Sequence, residues 1–275
     1  MSSPPPHGTA RPSDSSEDPE TAASPQKPSR AGPGTPRAAA AASGRRRNPT
    51  DRLTARQAFY LVVMHGLGAF AISGGINFAV AYGLYTSAKA REQPVRLFQL
   101  PNTLVGDAVV TAVAQCIVTW FIEAALVGLD LRGGIVAPVG WMREPAGRAG
   151  RWFFGLPLLS PSHDDDGEGE GGMEEGKDRP FLRWVGWVLS QVPRALVLAI
   201  ASLLIMLGPT VGILTAVGRR TGGDWEYDNV WAPQVYKLLY GGVLGLLVTP
   251  IMAFVLLARA GWEIRRATES SLDRQ

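Results

Sequence analysis

The sequence predicts an all-α polytopic membrane protein, a four-helix transmembrane bundle with a disordered N-terminal tail and a disordered acidic cytoplasmic loop. Three observations predict it. Four apolar runs are each long enough to cross a bilayer, the polar residues are gathered outside them, and Lys and Arg alternate in density from one connecting segment to the next. The 46% hydrophobic average therefore hides a strong partition. A soluble domain would interleave its apolar residues with charge at helix or strand period.

Residues 1–56 are mostly Pro, Ser, Ala, Gly and Arg. Such a segment buries too little apolar surface to offset its ordering entropy, so it reads as a disordered tail. It has no apolar signal-peptide core, and Asp14, Glu17, Asp18 and Glu20 break the acid-poor pattern of a mitochondrial presequence. The first span is expected to act as its own insertion signal. In the tail, Ser24 and Thr35 each precede proline, with a basic residue following ("SPQK", "TPR"), a pattern that proline-directed kinases favour. Both are candidate phosphorylation sites near the Arg45–Arg47 cluster.

The transmembrane domain is expected over 57–261. Span one is Ala58–Tyr85, span two Leu104–Leu129, span three Ala195–Gly218 and span four Leu238–Gly261. Each reaches the roughly 20 residues needed to cross about 30 Å of hydrocarbon. Span three is allowed an earlier start, because "FLRWVGWVLSQVP" before it looks helical and interfacial. The cytoplasmic loop 130–181 contains "HDDDGEGEGGMEEGKD", whose acids and glycines read as disorder over 160–180. Residues 262–275 form a cytoplasmic C-terminal tail.

Arginines at 45–47, 52 and 56 precede span one, those at 132, 143, 148 and 151 follow span two, and those at 259, 265 and 266 follow span four. The two other loops hold fewer: Lys89, Arg91 and Arg96 in one, Arg219, Arg220 and Lys237 in the other. The positive-inside rule then places both termini and the central loop in the cytoplasm. The expected location is the endoplasmic reticulum or another endomembrane, or the plasma membrane, ahead of mitochondria.

Small residues recur at four-residue spacing in three spans: Ala71, Gly75, Ala79 and Gly83; Gly208, Gly212 and Ala216; Gly241, Gly245, Thr249 and Ala253. Such faces let helix backbones approach closely. Pro209 and Pro250 interrupt spans three and four and are candidate kinks.

Span two carries the informative feature. Asp107, Thr111, Gln115, Thr119 and Glu123 repeat every four residues, so the stripe drifts about 40° per step along an i±4 ridge. Asp107 and Glu123, about 24 Å apart along the axis, are no paired-carboxylate site. A charge deep in hydrocarbon costs roughly 2.5–3.5 kcal/mol, so Glu123 needs a partner, a proton or water. His65 in span one and Arg194 at the start of span three lie at matching depth. Asn77 is placed to hydrogen-bond to Gln115 or Asp107. The cluster Glu123, His65, Arg194, Gln115, Asn77 and Asp107 reads either as a proton- or ion-handling site or as polar packing.

The rest of the chemistry is excluded by absence of motif. Phosphate-binding, zinc-protease, hydrolase and calcium-loop signatures are missing, as are nucleic-acid-binding motifs. A single cysteine, Cys116, rules out an intramolecular disulfide. No catalytic, cofactor or metal residue is nominated, and the acidic run reads as solvated charge. "SGGINFAVAYGLY", Ser73–Tyr85, resembles a family of uncharacterised fungal multi-pass membrane proteins with a Gly-Gly-Ile-Asn-Phe element in the first helix. That resemblance covers about 57–261, implies fungal origin and transfers no activity. The expected function is a non-enzymatic structural, assembly or regulatory subunit, with the lipid bilayer and a membrane-protein partner or second copy as partners. The alternative is a small transporter or channel-like protein using the stripe.

Overall fold

A computed structural model describes residues 47–86, 94–157, 180–229 and 231–274. These all belong to one unit, residues 41–275. Ser24, Thr35 and most of the acidic loop lie outside the described residues.

Four helices are long and apolar enough to cross a membrane. Helix α1 runs Ala55–Tyr85. It opens on a capping box, in which the Thr54 hydroxyl accepts from Gln57 N–H and the Gln57 side chain accepts from Thr54 N–H. Its second segment, Tyr60–Leu67, is π-helical, and the α-helix resumes over Gly68–Tyr85. Helix α2 is Leu104–Gly133, capped at its start by Thr103 and closed by Gly134 at φ 70°. The short α3 is Arg148–Phe153, followed by the long α4, Pro180–Val217, and α5, Ala232–Leu272. Helical structure continues through Pro193 and Pro209 in α4 and Pro250 in α5.

The bundle is organised around α5, which packs against both α1 and α2, while α4 packs chiefly on α2. Glycines set the α1–α5 approach. A Cβ on Gly74 would stand 2.9 Å from Leu238 O, and one on Gly245 would stand 2.9 Å from Ala69 O. The small-residue face expected in span four is therefore buried. The faces expected in spans one and three are not used: Cβ atoms on Gly75, Gly83, Gly208 and Gly212 would meet nothing within 4 Å. In α1 the contact lies one residue away, at Gly74, because spacing fixes a periodicity but not which of two adjacent stripes meets the neighbour.

The molecule is mostly helical rather than all-α. At one end, β1 (Val95–Arg96), β2 (Arg219–Thr221) and β3 (Asp224–Tyr227) form an antiparallel sheet in the order β1-β3-β2, with Val95 opposite Tyr227 and Thr221 opposite Asp224. Gly222 and Gly223, at φ 58° and 88°, make the two-residue turn between β2 and β3. Asp224 ties β1's loop to the hairpin, its carboxylate accepting from the backbone N–H groups of Phe98, Gln99 and Trp225. Burial works against ionisation there, yet these N–H groups and nearby Arg96 hold the carboxyl below the usual carboxylate range.

At the opposite end, residues 134–157 fold back on α5. Val139 N–H donates to Leu257 O, and the indole of Trp262 donates to Met142 O. Arg266 grips Glu144 with two hydrogen bonds, which with the charges of Arg266 and Arg151 hold that carboxyl below its ordinary value against a smaller effect of burial. Two expectations change at this end. Residues 47–56 are anchored rather than free, with Arg47 donating to Gly134 O and Thr50 bridging to Val139. The last helix does not stop at Gly261 but continues to Leu272.

Candidate functional site

Helices α1 and α2 both lean on α5 and leave between them a groove of about 680 Å³. Its floor is polar. Ser73, Asn77, Gln115 and Thr119 are half-buried along it, while His65, Thr111, Glu123, Lys237 and Thr249 are buried. Its rims are apolar, with Ile72, Ile76, Val110, Val118 and Ile122 exposed. The α2 stripe thus follows one groove from end to end, since a groove between crossing helices turns with the i±4 ridge.

The floor carries four polar layers. Nearest the sheet, Lys237 Nζ lies 2.8 Å from Asp107 Oδ1 and donates to Thr111 Oγ1 at 2.6 Å. The next layer holds Asn77, whose amide donates to Gln115 Oε1 at 2.9 Å and Ser73 O at 2.8 Å, and Gln115, which donates to Gly241 O at 3.0 Å. Asn77 lies directly over Gly241, where a Cβ would fall 2.2 Å from its amide nitrogen. The third layer is His65 Nδ1 against Glu123 Oε2 at 2.7 Å, an ion-pair distance without hydrogen-bond alignment. In the fourth, Tyr60 donates to Asp130 Oδ2 at 2.7 Å. From Asp107 to Asp130 the layers cover about 34 Å of helix, close to the thickness of a bilayer's hydrocarbon core.

The π-helical segment explains the last two layers. Residues five apart on an α-helix point about 140° apart. The i→i+5 bonding of Tyr60–Leu67 turns Tyr60 and His65 toward one side, and their rings lie 4.3 Å apart. Glu123 and Asp130, seven residues apart, share one face of α2, so both acids meet a partner from the same segment of α1.

The structure places five of the six nominated residues along this groove: Glu123 beside His65, Asn77 on Gln115, and Asp107 at the sheet end, where it meets Lys237 rather than Asn77. Arg194 does not join them. It donates to Trp152 O and Gln191 Oε1 on the far side of α2 and stacks over the Trp152 ring. Matching depth along the helix leaves the direction around the bundle open. Sequence reasoning passed over Lys237, Tyr60, Asp130 and Thr249. Lys237 had been counted among loop cations, yet only 4% of it is exposed. Thr249 Oγ1, buried and without a hydrogen-bond partner among the described residues, borders the groove two turns past Gly241.

Comparison with known proteins places these observations among relatives. A family described as protein of unknown function (DUF2456) matches residues 173–257, which takes in all of α4 and more than half of α5. An uncharacterised protein of Schizosaccharomyces pombe is 38% identical over 204 residues, covering 71% of this chain and 36% of its own length. The chain resembles uncharacterised fungal proteins. A second, from Saccharomyces cerevisiae, is 26% identical over 247 residues, covering 73% of this chain and 77% of its own. The chain thus spans about a third of the first relative's length and more than two thirds of the second's. No solved structure matches.

Proposed function

We propose that this chain is a four-span integral membrane protein that carries amphiphiles between the two leaflets, using the groove between α1 and α2. The observation that supports the reading is an open groove with a mostly apolar wall into whose floor polar side chains are set at several depths. A pore for soluble ions needs a closed wall. A groove open to lipid suits a molecule that brings its own apolar part: a lipid headgroup moves along the floor while its tails stay in hydrocarbon. Desolvating a headgroup in hydrocarbon is costly, and the hydroxyls and amides of Ser73, Asn77, Gln115 and Thr119 replace part of its hydration. No covalent chemistry is assigned.

The test is lipid transfer. The full chain is reconstituted into liposomes containing headgroup-labelled phospholipid, and the fraction bleached by an impermeant reductant is followed. Transfer well above empty liposomes, reduced severalfold by Gln115→Leu, supports the reading. The assembly role, which the composition alone favours, predicts no transfer and a groove sealed by another helix.

The proposed orientation puts both termini and 130–157 in the cytosol, at the endoplasmic reticulum or plasma membrane. With Lys237 paired inside the bundle, the sheet end keeps fewer free cations, and the contrast between sides is sharper than the sequence count. Acceptor sites for glycosylation introduced at residues 92 and 228 should be modified in a secretory compartment, while one in the central loop should not.

A further inference from the structure

Away from the groove, at the end opposite the sheet, Arg194 is buried with only neutral partners. It is 8% exposed, and the acceptors it reaches are the Trp152 carbonyl at 3.0 Å and the Gln191 amide oxygen at 2.9 Å. Among the described residues, no carboxylate lies within ion-pair distance of it. A second guanidinium stands beside it. Arg259 spends its Nε on Glu263 at 2.7 Å and turns Nη1 inward. The point that a Cβ on Gly155 would occupy is 2.8 Å from Arg259 Nη1 and 3.4 Å from Arg194 Nη2. Gly155 has φ 70°, so the backbone itself favours glycine here, and a side chain in its place would press on both guanidiniums.

Guanidinium groups keep their charge at any pH near neutrality. Buried charges are normally paired, and two cations side by side, one of them without a counter-ion, leave an unbalanced positive site. Its donors are planar and forked, the geometry that matches phosphate oxygens. We infer that Arg194 and Arg259 form an oxyanion site that takes a phosphate group at this end of the bundle. The inference goes beyond the groove and stands whether or not the groove carries lipid. In the orientation proposed above the site faces the cytosolic leaflet, where anionic lipids gather. The phosphate comes either from such a headgroup or from solution.

The experiment uses the full chain in phosphate-free detergent and in nanodiscs of phosphatidylcholine with phosphatidic acid. Arg259→Gln is the test variant, since Arg259 sits at the rim of the site and its loss leaves Arg194 with both neutral acceptors. Inorganic phosphate should raise the melting temperature of the wild type and not of the variant if the source is soluble phosphate. Native mass spectrometry should instead show phosphatidic acid retained severalfold more by the wild type if the source is lipid. Gly155→Ala, which brings a methyl group against Arg259 Nη1, should weaken either response. Equal behaviour of wild type and Arg259→Gln toward both probes overturns the inference.

Discussion

Lys237 and Asp107 show what a single pair does in this molecule. The ammonium is buried, its carboxylate partner is 16% exposed on the side chain, and Thr111 supplies a further acceptor. Removing one member strands the other, so Lys237→Met should cost about 3–5 kcal/mol. The double variant Lys237→Met/Asp107→Asn should recover much of that loss. Unfolding of the wild type, both single variants and the double variant in the same detergent gives the coupling directly, and losses that simply add would refute the pairing. Similarly, His65→Leu should harm stability more than Glu123→Gln, because the first leaves a carboxyl against apolar neighbours and the second keeps most of its contacts. At this scale the sequence was informative where depth decides. It brought His65 to Glu123 and Asn77 to Gln115, since a polar group in mid-helix needs a partner at its own level. It was uninformative for Arg194, where the choice between two sides of α2 is a matter of azimuth. It also missed Tyr60, because nothing in "FYLVVMHGL" marks a π-helical turn.

Among the elements, the α1–α5 crossing and the hairpin carry the clearest tests. Gly74 and Gly75 are adjacent in sequence and opposite in consequence. Gly74→Ala drives a methyl group to 2.9 Å from the Leu238 carbonyl, whereas Gly75→Ala meets nothing. The first should destabilise by about 1–3 kcal/mol as the helices are forced apart. The second should be neutral or gain up to about 1 kcal/mol of helix propensity. Matched thermal melts decide it, and a harmful Gly75→Ala would favour the stripe first read from the spacing. The hairpin answers to pH. Asp224's folded carboxyl lies below its unfolded value of about 3.9, so its contribution is fully present above that value and is lost as pH falls through the folded one. Hydrogen exchange at the amides of Phe98, Gln99 and Trp225 should therefore open on acidification below about pH 4, beyond the intrinsic pH effect on exchange, and Asp224→Asn should lose that dependence. The four helices were legible because apolar runs of that length admit few alternatives. The sheet was not, although "RRTGGDWEY" holds the signal, two glycines between short segments of strand-forming residues. Runs of two to four residues fall below what periodicity can resolve.

Among the described residues, α1 and α2 lean on α5 and α4 packs on α2, with a gap between α1 and α2 where a closed bundle would have contact. A sequence lists which residues are polar and at what height, but the gap arises from how far α1 and α2 stand apart around α5, and a single sequence carries no measure of that. The proposed role makes the gap a lipid-facing surface. Spin labels attached in detergent to single cysteines at Ile76 or Val118, on the exposed rims, should be relaxed in bilayers by oxygen more than by a water-soluble nickel chelate, and the unlabelled cysteines should not form disulfide-linked pairs of chains. Cys116 is buried and should remain a silent background. Efficient cross-linking between copies at both positions would instead show that a second chain closes the groove.

The central position of α5 bears on how the protein is made. Among the four long apolar helices it is the last in chain order, yet Lys237 neutralises Asp107, Gly241 accepts from Gln115, and the α5 glycines receive α1. Until it is made, the first three helices wait with an unanswered carboxylate and no common partner. If the spans insert as proposed, the nascent intermediate is an orphan that needs factors to shelter its polar segments until α5 emerges. A chain stopped after residue 230 should be cleared by membrane quality control far faster than the full chain, as a cycloheximide chase would reveal. Separately expressed 232–275 should rescue it, while the same fragment carrying Lys237→Met should not.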